Sequence, residues 1–326
     1  MMTQNILQVD NLQVHFKNHQ HSLFAKPTTI RAVDGVDLAI TNGETLSIVG
    51  ESGCGKSTLA RAILGLLTPT GGSVIFNNKE LTTLSKKQMR RERQHLQMIF
   101  QDPLASLNPR LSIGQIVAEP LHNFSPHLTK QAILQQVREI LISVGLSADQ
   151  LNRYPHELSG GQCQRVGIAR ALICHPQLII CDEPVSALDV SIQAQIINLL
   201  MDIQKKNHIS LLFIAHDLSI VKHISHRVMV MYKGKVVELA PRDQLYDRPR
   251  HPYTQLLLAS VPIPEPVAGR QRLNLINAEK IPQETPTASG CAFYSRCPIA
   301  QPLCAHQTPL LKDMAVETKV ACHAVR

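Results

Sequence analysis

Gly50-Glu51-Ser52-Gly53-Cys54-Gly55-Lys56-Ser57-Thr58 is the stretch that decides the fold. It satisfies G-x-x-x-x-G-K-[ST], a phosphate-binding loop. Thr45–Val49 before it is short and β-prone, and Leu59, Ile63 and Leu66 after it fall on one helical face. Strand, glycine loop and helix form the setting that the motif needs. A glycine-rich turn with a chance lysine would lack those flanks. Gly50, Gly53 and Gly55 can take positive φ and let the backbone, with Ser52 and Cys54 between them, close around a phosphate. The loop N–H groups and the start of the helix at Ser57-Thr58 then point at the anion. Lys56 supplies a positive charge for β- and γ-phosphates, and Ser57 a hydroxyl for Mg²⁺.

The bulk numbers narrow the classes. A chain of 326 residues suggests about two domains, and 44% apolar content is enough for a full core. No run of 18 apolar residues occurs, so no membrane-spanning helix is expected. The start, Met1-Met2-Thr3-Gln4-Asn5, lacks a basic segment followed by an apolar one, so a cytosolic protein is expected. Net charge is +8, but aromatic content is 4% and Trp is absent, which argues against a base-stacking surface and a nucleic-acid partner. The basic run Lys86–Arg93 follows a possible N-cap at Ser85 and reads as a solvated helix face.

Strand patterns cover Ile6–Phe16, Ala32–Ile40, Thr45–Val49, Ser73–Phe76 and Leu96–Phe100. The phosphate-loop helix is expected to end at Leu67. From Pro103 to about Ala171 the pattern is helical; in Thr129–Val144 the residues Ile133, Val137, Ile140, Leu141 and Val144 make one stripe. Leu178–Cys181, Ile209–Ala215 and Arg227–Tyr232 read as strands and Ile192–Ile203 as a helix. This rhythm predicts an α/β fold with a mostly parallel sheet flanked by helices. Val261–Gly290, with Pro262, Pro264, Pro266, Pro282 and Pro286, reads as a linker or surface segment.

A second nucleotide signal is Leu178-Ile179-Ile180-Cys181-Asp182-Glu183, a buried strand delivering acids to its C-terminal end. Asp182 suits Mg²⁺, and Glu183 suits a water attacking the γ-phosphate. At Leu158-Ser159-Gly160-Gly161-Gln162 the chain resembles the ATPases of ABC transporters, whose hallmark this pentapeptide matches completely. Ser159 and the two glycines also open a helix, a second N-terminus seeking phosphate. The resemblance implies that this turn, Gln162 included, caps ATP bound by an opposite subunit. It further assigns Gln101 to the loop that touches Mg²⁺ or the attacking water, Ser186–Asp189 to the loop crossing the dimer seam, and His216 to the γ-phosphate. Phe16 is expected to stack on adenine, with Phe24 as the fallback. Cys163 stands where the family more often has Arg, Gln or Met.

Tyr154-Pro155-His156-Glu157, His251-Pro252-Tyr253-Thr254 and Gln101–Arg110 narrow the resemblance to oligopeptide/dipeptide importers, nearest the second ATPase of dipeptide-type systems. It implies a P-loop ATPase core with an antiparallel β subdomain and an inserted helical subdomain at about 103–171. It also implies an ATPase domain over 1–260 and a C-terminal extension over 261–326. The implied assembly has a second ATPase subunit (a related chain, or else a copy), two integral-membrane permease subunits and, indirectly, a substrate-binding protein. It would lie on the cytoplasmic face of the inner membrane as a peripheral subunit. The alternatives are an importer of another cargo (nickel, haem, glutathione) or an ATPase acting on ribosomes or DNA. Ribosome-acting relatives usually carry two cassettes, and DNA-acting ones an insertion that is absent here.

Of eight cysteines, Cys291, Cys297, Cys304 and Cys322 crowd into the tail. In a reducing compartment they read as a metal site rather than as disulfides. Zinc sites commonly use C-x2–4-C pairs, and none occurs. Four thiolates on a loop can hold an iron–sulfur cluster, and Cys297-Pro298 echoes a ferredoxin feature. Importers of this group imply a [4Fe–4S] cluster here, so a cluster is the expectation, with zinc as the alternative.

Overall fold

The computed structural model describes residues 5–18, 28–260 and 289–325. In chain order its strands are β1 (Asn5–Asn18), β2 (Thr28–Thr41), β3 (Thr45–Val49), β4 (Gly71–Phe76), β5 (Lys79–Glu80), β6 (Leu96–Ile99), β7 (Leu178–Asp182), β8 (Ser210–Ile214), β9 (Arg227–Tyr232), β10 (Lys235–Pro241), β11 (Lys312–Ala315) and β12 (Thr318–Val320). The helices used below are α1 (Lys56–Ile63), α2 (Lys86–Glu92), α3 (Ile113–Phe124), α4 (Lys130–Ser143), α5 (Gly160–Leu172), α6 (Val190–Asn207), α7 (Leu218–Ile224), α8 (Arg242–Asp247) and α9 (Pro252–Ala259).

A four-stranded antiparallel sheet, β2-β1-β4-β5, lies beside an eight-stranded sheet of order β11-β12-β10-β9-β3-β8-β7-β6. The run β6-β7-β8-β3-β9 is parallel, while β9-β10-β12-β11 is antiparallel. The central strands are buried on both faces, as a covered parallel sheet requires. Alternate residues divide between two cores. Ile179, Cys181, Leu211 and Phe213 face the helices that include α3, α5 and α6. Leu178, Ile180, Leu212 and Ile214 face α1 and the smaller sheet. The α/β architecture expected from the sequence is the one observed.

Helix boundaries follow local chemistry. Helix α1 stops at Ile63, earlier than Leu67, because Gly65 takes φ +61°. The Leu66 N–H then bonds the Arg61 carbonyl at 2.8 Å and the Gly65 N–H that of Ala62 at 3.0 Å, which closes the helix as a Schellman turn. Helix α2 starts from a Ser85–Gln88 capping box, and its basic residues are mostly exposed. Helix α4 buries Ile133, Val137 and Leu141, the stripe expected.

Beyond residue 288 the chain returns to the main sheet. Glu238 and Leu239 of β10 pair with Val320 and Lys319 of β12. Glu238 is fully buried, and its carboxylate accepts the N–H groups of Arg250 and His251, both at 2.9 Å. His251 caps α9 by accepting the Tyr253 N–H at Nδ1 (3.0 Å) and bonds the backbone at Ala321, so it ties α9 to the end of β12.

Burial pushes the His251 pKa down to about 4. The unfolded chain protonates this imidazole near its ordinary value of about 6.5, and the folded chain only near 4. Between these values the unfolded state binds more protons, so stability falls as pH falls. The expected loss from this group between pH 6.5 and 5 is about 2 kcal/mol. Glu238, held above the ordinary carboxylate range by burial, titrates in the opposite sense. The check is therefore a comparison. Urea unfolding at pH 7 and 5 is expected to show a larger acid loss in the wild type than in His251→Asn, which keeps a capping acceptor.

Candidate nucleotide site

The phosphate loop leaves the end of β3, between β8 and β9. Gly50 (φ +151°) runs so close to β9 that a Cβ there would stand 2.2 Å from the Met231 carbonyl oxygen. Gly55 (φ +108°) is the N-cap of α1, with no side-chain cap to compete for the first N–H groups. The Lys56 ammonium is buried in the loop, donating to the carbonyls of Gly50 (2.7 Å) and Glu51 (3.1 Å). It also lies 3.7 Å from Cys54 Sγ. Burial raises the Cys54 pKa, partly offset by Lys56. Ser52 and Gly53 stand exposed at the loop's outer edge, and Thr58 is half-buried in the first turn of α1.

Three neighbouring parallel strands bring the remaining polar groups to the same end of the sheet. Asp182 closes β7, is 3% exposed, and accepts a hydrogen bond from Ser57 Oγ at 2.8 Å. Burial holds its carboxyl above the ordinary range. Glu183 has φ +48°, a left-handed conformation uncommon for a residue with a side chain and typical of functional turns. Its Oε2 accepts from Gln101 Nε2 at 3.0 Å, just beyond β6, and lies 3.3 Å from His216 Nδ1, just beyond β8. Gln101, Glu183 and His216 thus converge on one carboxylate oxygen, next to the Ser57–Asp182 pair.

Ser159, Gly160, Gly161 and Gln162 stand elsewhere. Ser159 caps α5 through a box with Gln162 (Gln162 N–H to Ser159 Oγ 3.3 Å, Ser159 N–H to Gln162 Oε1 2.9 Å). Ser159 and Gly160 are exposed, and Gly160 and Gly161 pack beside Leu188 and Ile192. Ser186 Oγ donates to the Glu183 carbonyl at 3.1 Å, and Asp189 begins α6 without a side-chain cap bond. Gln193, which the sequence did not single out, holds this turn through the carbonyls of Val185 (3.1 Å) and Leu188 (2.9 Å). Cys163 is buried with its Sγ 3.5 Å from the Pro155 carbonyl, away from the exposed cap. Phe16 is 42% exposed and pairs across the smaller sheet with Ile30, itself 54% exposed, which makes a small apolar platform. Phe24 lies outside the described residues, as does most of the proline-rich stretch.

Two further residues reach the loop that the sequence did not place there. The Tyr253 hydroxyl accepts the Glu51 N–H at 2.9 Å, and Arg296 makes a bidentate pair with the Glu51 carboxylate at 2.8 and 2.9 Å.

The tail cysteines overturn the expectation of an iron–sulfur cluster, and that of zinc. Among the described residues, no group of three or more His, Cys, Asp or Glu side chains could hold a metal ion. Burial keeps Cys297 a thiol, with its pKa pushed up to about 11, and raises that of Cys291 as well. Cys297 belongs to the main core, and Cys304 packs with Tyr294 and Ala305. These side chains behave as small apolar groups that fill a short, loop-rich segment.

Comparison with known proteins agrees with this geometry. The family model described as "ABC transporter" matches residues 33–186, and that described as "Oligopeptide/dipeptide transporter, C-terminal region" matches residues 237–304. The oligopeptide transport ATP-binding protein OppF of Salmonella typhimurium is 53% identical, covering 94% of this chain and 92% of that one. The oligopeptide transport ATP-binding protein AppF of Bacillus subtilis is 46% identical, covering 98% and 97%. Among solved structures, the ATP-binding cassette MJ0796, a dimer in a post-hydrolysis state bound to ADP and Pi, superposes with TM-score 0.65 at 28% identity, covering 72% of this chain and 98% of that one. The cbiO1 protein of Clostridium perfringens, part of an ABC transporter complex, gives 0.64 at 30%, covering 75% and 91%. With relatives this similar along nearly its whole length, the chain belongs to the ATP-binding subunits of the oligopeptide/dipeptide ABC transporter family.

Proposed function

We propose that this chain is a peripheral ATPase subunit on the cytoplasmic face of the inner membrane. It closes with a second ATPase subunit on two ATP molecules and drives uptake of di- or oligopeptides. The cargo passes through two integral-membrane permease subunits, delivered by a substrate-binding protein. The observation that carries the reading is the convergence of Gln101, Glu183 and His216 on one oxygen beside the phosphate loop. No described helix is long and apolar enough to cross a membrane.

Residues 1–260 act as the ATPase domain, with the helical subdomain at about 103–171, and residues 261–326 as its extension. Lys56 and the N–H groups of the loop hold the triphosphate, and Phe16 offers a face to adenine. The hydroxyl of Ser57, the carboxylate of Asp182 and the amide oxygen of Gln101 are hard oxygen donors that fit Mg²⁺. Mg²⁺, when bound, neutralises phosphate charge. Glu183 orients water and takes its proton, while His216 and Gln101 fix its carboxylate and meet the γ-phosphate side. The exposed Ser159–Gly160 cap, packed beside Leu188, suits a nucleotide held by the opposite subunit. A cavity of about 710 Å³ between α3 and the Gln101 loop is lined by Leu66, Phe100 and Phe124 among others, and Phe100 and Leu104 are exposed at its side. Arg61, Arg93, Asp102, Glu119 and Arg170 also line it, so it suits an amphipathic helix of the permease.

The test is to purify the chain with the membrane proteins that accompany it and to measure hydrolysis against concentration. The rate per chain is expected to rise steeply with concentration and with the companion subunits. A monomer that turns over at full rate, indifferent to both, would end this reading.

A further inference from the structure

Glu51 places a carboxylate inside an anion-binding loop. Its carboxylate sits in the same turn whose N–H groups must donate to a triphosphate, and like charges at such range repel. The extension answers this charge. Arg296, at the end of the turn Tyr294–Arg296, spans 245 residues of sequence to grip both carboxylate oxygens. This contact pulls the Glu51 pKa below the ordinary range.

Arg296 is itself held. Its guanidinium lies 5.9 Å from the Tyr232 ring centroid and 5.7 Å from that of Phe293. Tyr232, Tyr253 and Phe293 form a buried aromatic cluster with ring centroids 4.6 to 5.4 Å apart. The same cluster carries the Tyr253 hydroxyl that accepts the Glu51 N–H. On its other side the Glu51 peptide offers its carbonyl to Lys56 Nζ. A contact made by the extension is therefore two bonds away from the ammonium that meets the phosphates.

We propose that Arg296 is a positioning residue for ATP. Through Arg296, which cancels and fixes the Glu51 carboxylate, the C-terminal extension sets the affinity of the phosphate loop, while Tyr253 of α9 fixes the Glu51 peptide. This rests on the loop being the ATP site. Arginine suits the role better than lysine because its planar fork matches both carboxylate oxygens at once.

The experiment measures binding of a fluorescent ATP analogue to the purified full chain. Arg296→Ala is expected to weaken binding by about three- to tenfold, a modest factor because the pair is partly solvent-screened. Arg296→Lys is expected to fall between the two. In the double variant E51Q/R296Q no unpaired carboxylate remains, and affinity is expected to return to within about twofold of wild type. The loss in Arg296→Ala is also expected to be larger for ATP than for ADP, since repulsion grows with ligand charge. Wild-type affinity in Arg296→Ala would overturn the proposal. So would an equal loss in E51Q/R296Q, which would mark Arg296 as a plain structural prop. Wild-type chain that binds no ATP, or Lys56→Ala that binds it fully, would instead strike at the ATP site itself.

Discussion

Replacing Glu183 by Gln is expected to leave ATP binding intact and to lower turnover by roughly 10²–10⁴. The amide keeps the shape of the carboxylate and can still meet Gln101 and His216, which now lie 3.0 and 3.3 Å from Oε2. It cannot take a proton from water. The groups that hold the triphosphate lie on other segments, with Lys56 bonded to loop carbonyls and Ser57 to Asp182, so affinity has no reason to fall. Single-turnover hydrolysis and equilibrium binding on the same preparation separate the two effects. Full turnover in Glu183→Gln would remove Glu183 from its role. The left-handed backbone of Glu183 is unchanged by this substitution, so a loss of folding is not the expected cause.

Gly55→Ala is expected to destroy nucleotide binding and to destabilise the fold by about 3 kcal/mol or more. Its φ of +108° lies where a Cβ is strained, and that Cβ would stand 2.1 Å from the backbone oxygen of Ala32. Backbone of β2 cannot swing aside as a flexible side chain can. Gly53→Ala is the control. Gly53 also has positive φ (+79°), but nothing lies within 4 Å of a Cβ there, so the strain alone is expected, about 1–2 kcal/mol. Urea unfolding and ATP binding on both variants check the contrast. Equal behaviour would mean that the loop does not pass as close to β2 as described.

The phosphate loop, the acids of β7 and the helical stripe of α4 were legible because each is local: a fixed spacing, or a period that burial enforces. Gln101 and His216 were legible only through resemblance, since their meeting with Glu183 depends on the order β6-β7-β8 in the sheet. Strand β10 escaped notice because Glu238 looks like a surface residue. Its burial is made tolerable by N–H groups of Arg250 and His251, which lie beyond the strand. Strands β11 and β12 are only four and three residues long and carry charged Asp313 and Lys319, so an alternation there is too short to stand out in the sequence. The cysteines misled in the other direction: their crowding suggested ligands, while their surroundings make them filler. The Arg296–Glu51 pair had no local signature at all, because neither residue has neighbours that hint at the other.

The return of the tail to the main sheet has a consequence for biosynthesis. Until residues 318–320 leave the ribosome, β10 has no partner on its outer side, and this strand is buried from Val236 to Ala240 in the finished molecule. A nascent or clipped chain would present a naked apolar border, the kind of template on which chains stack into aggregates. Proteolytic removal of β12 and the residues after it is therefore expected to produce insoluble material.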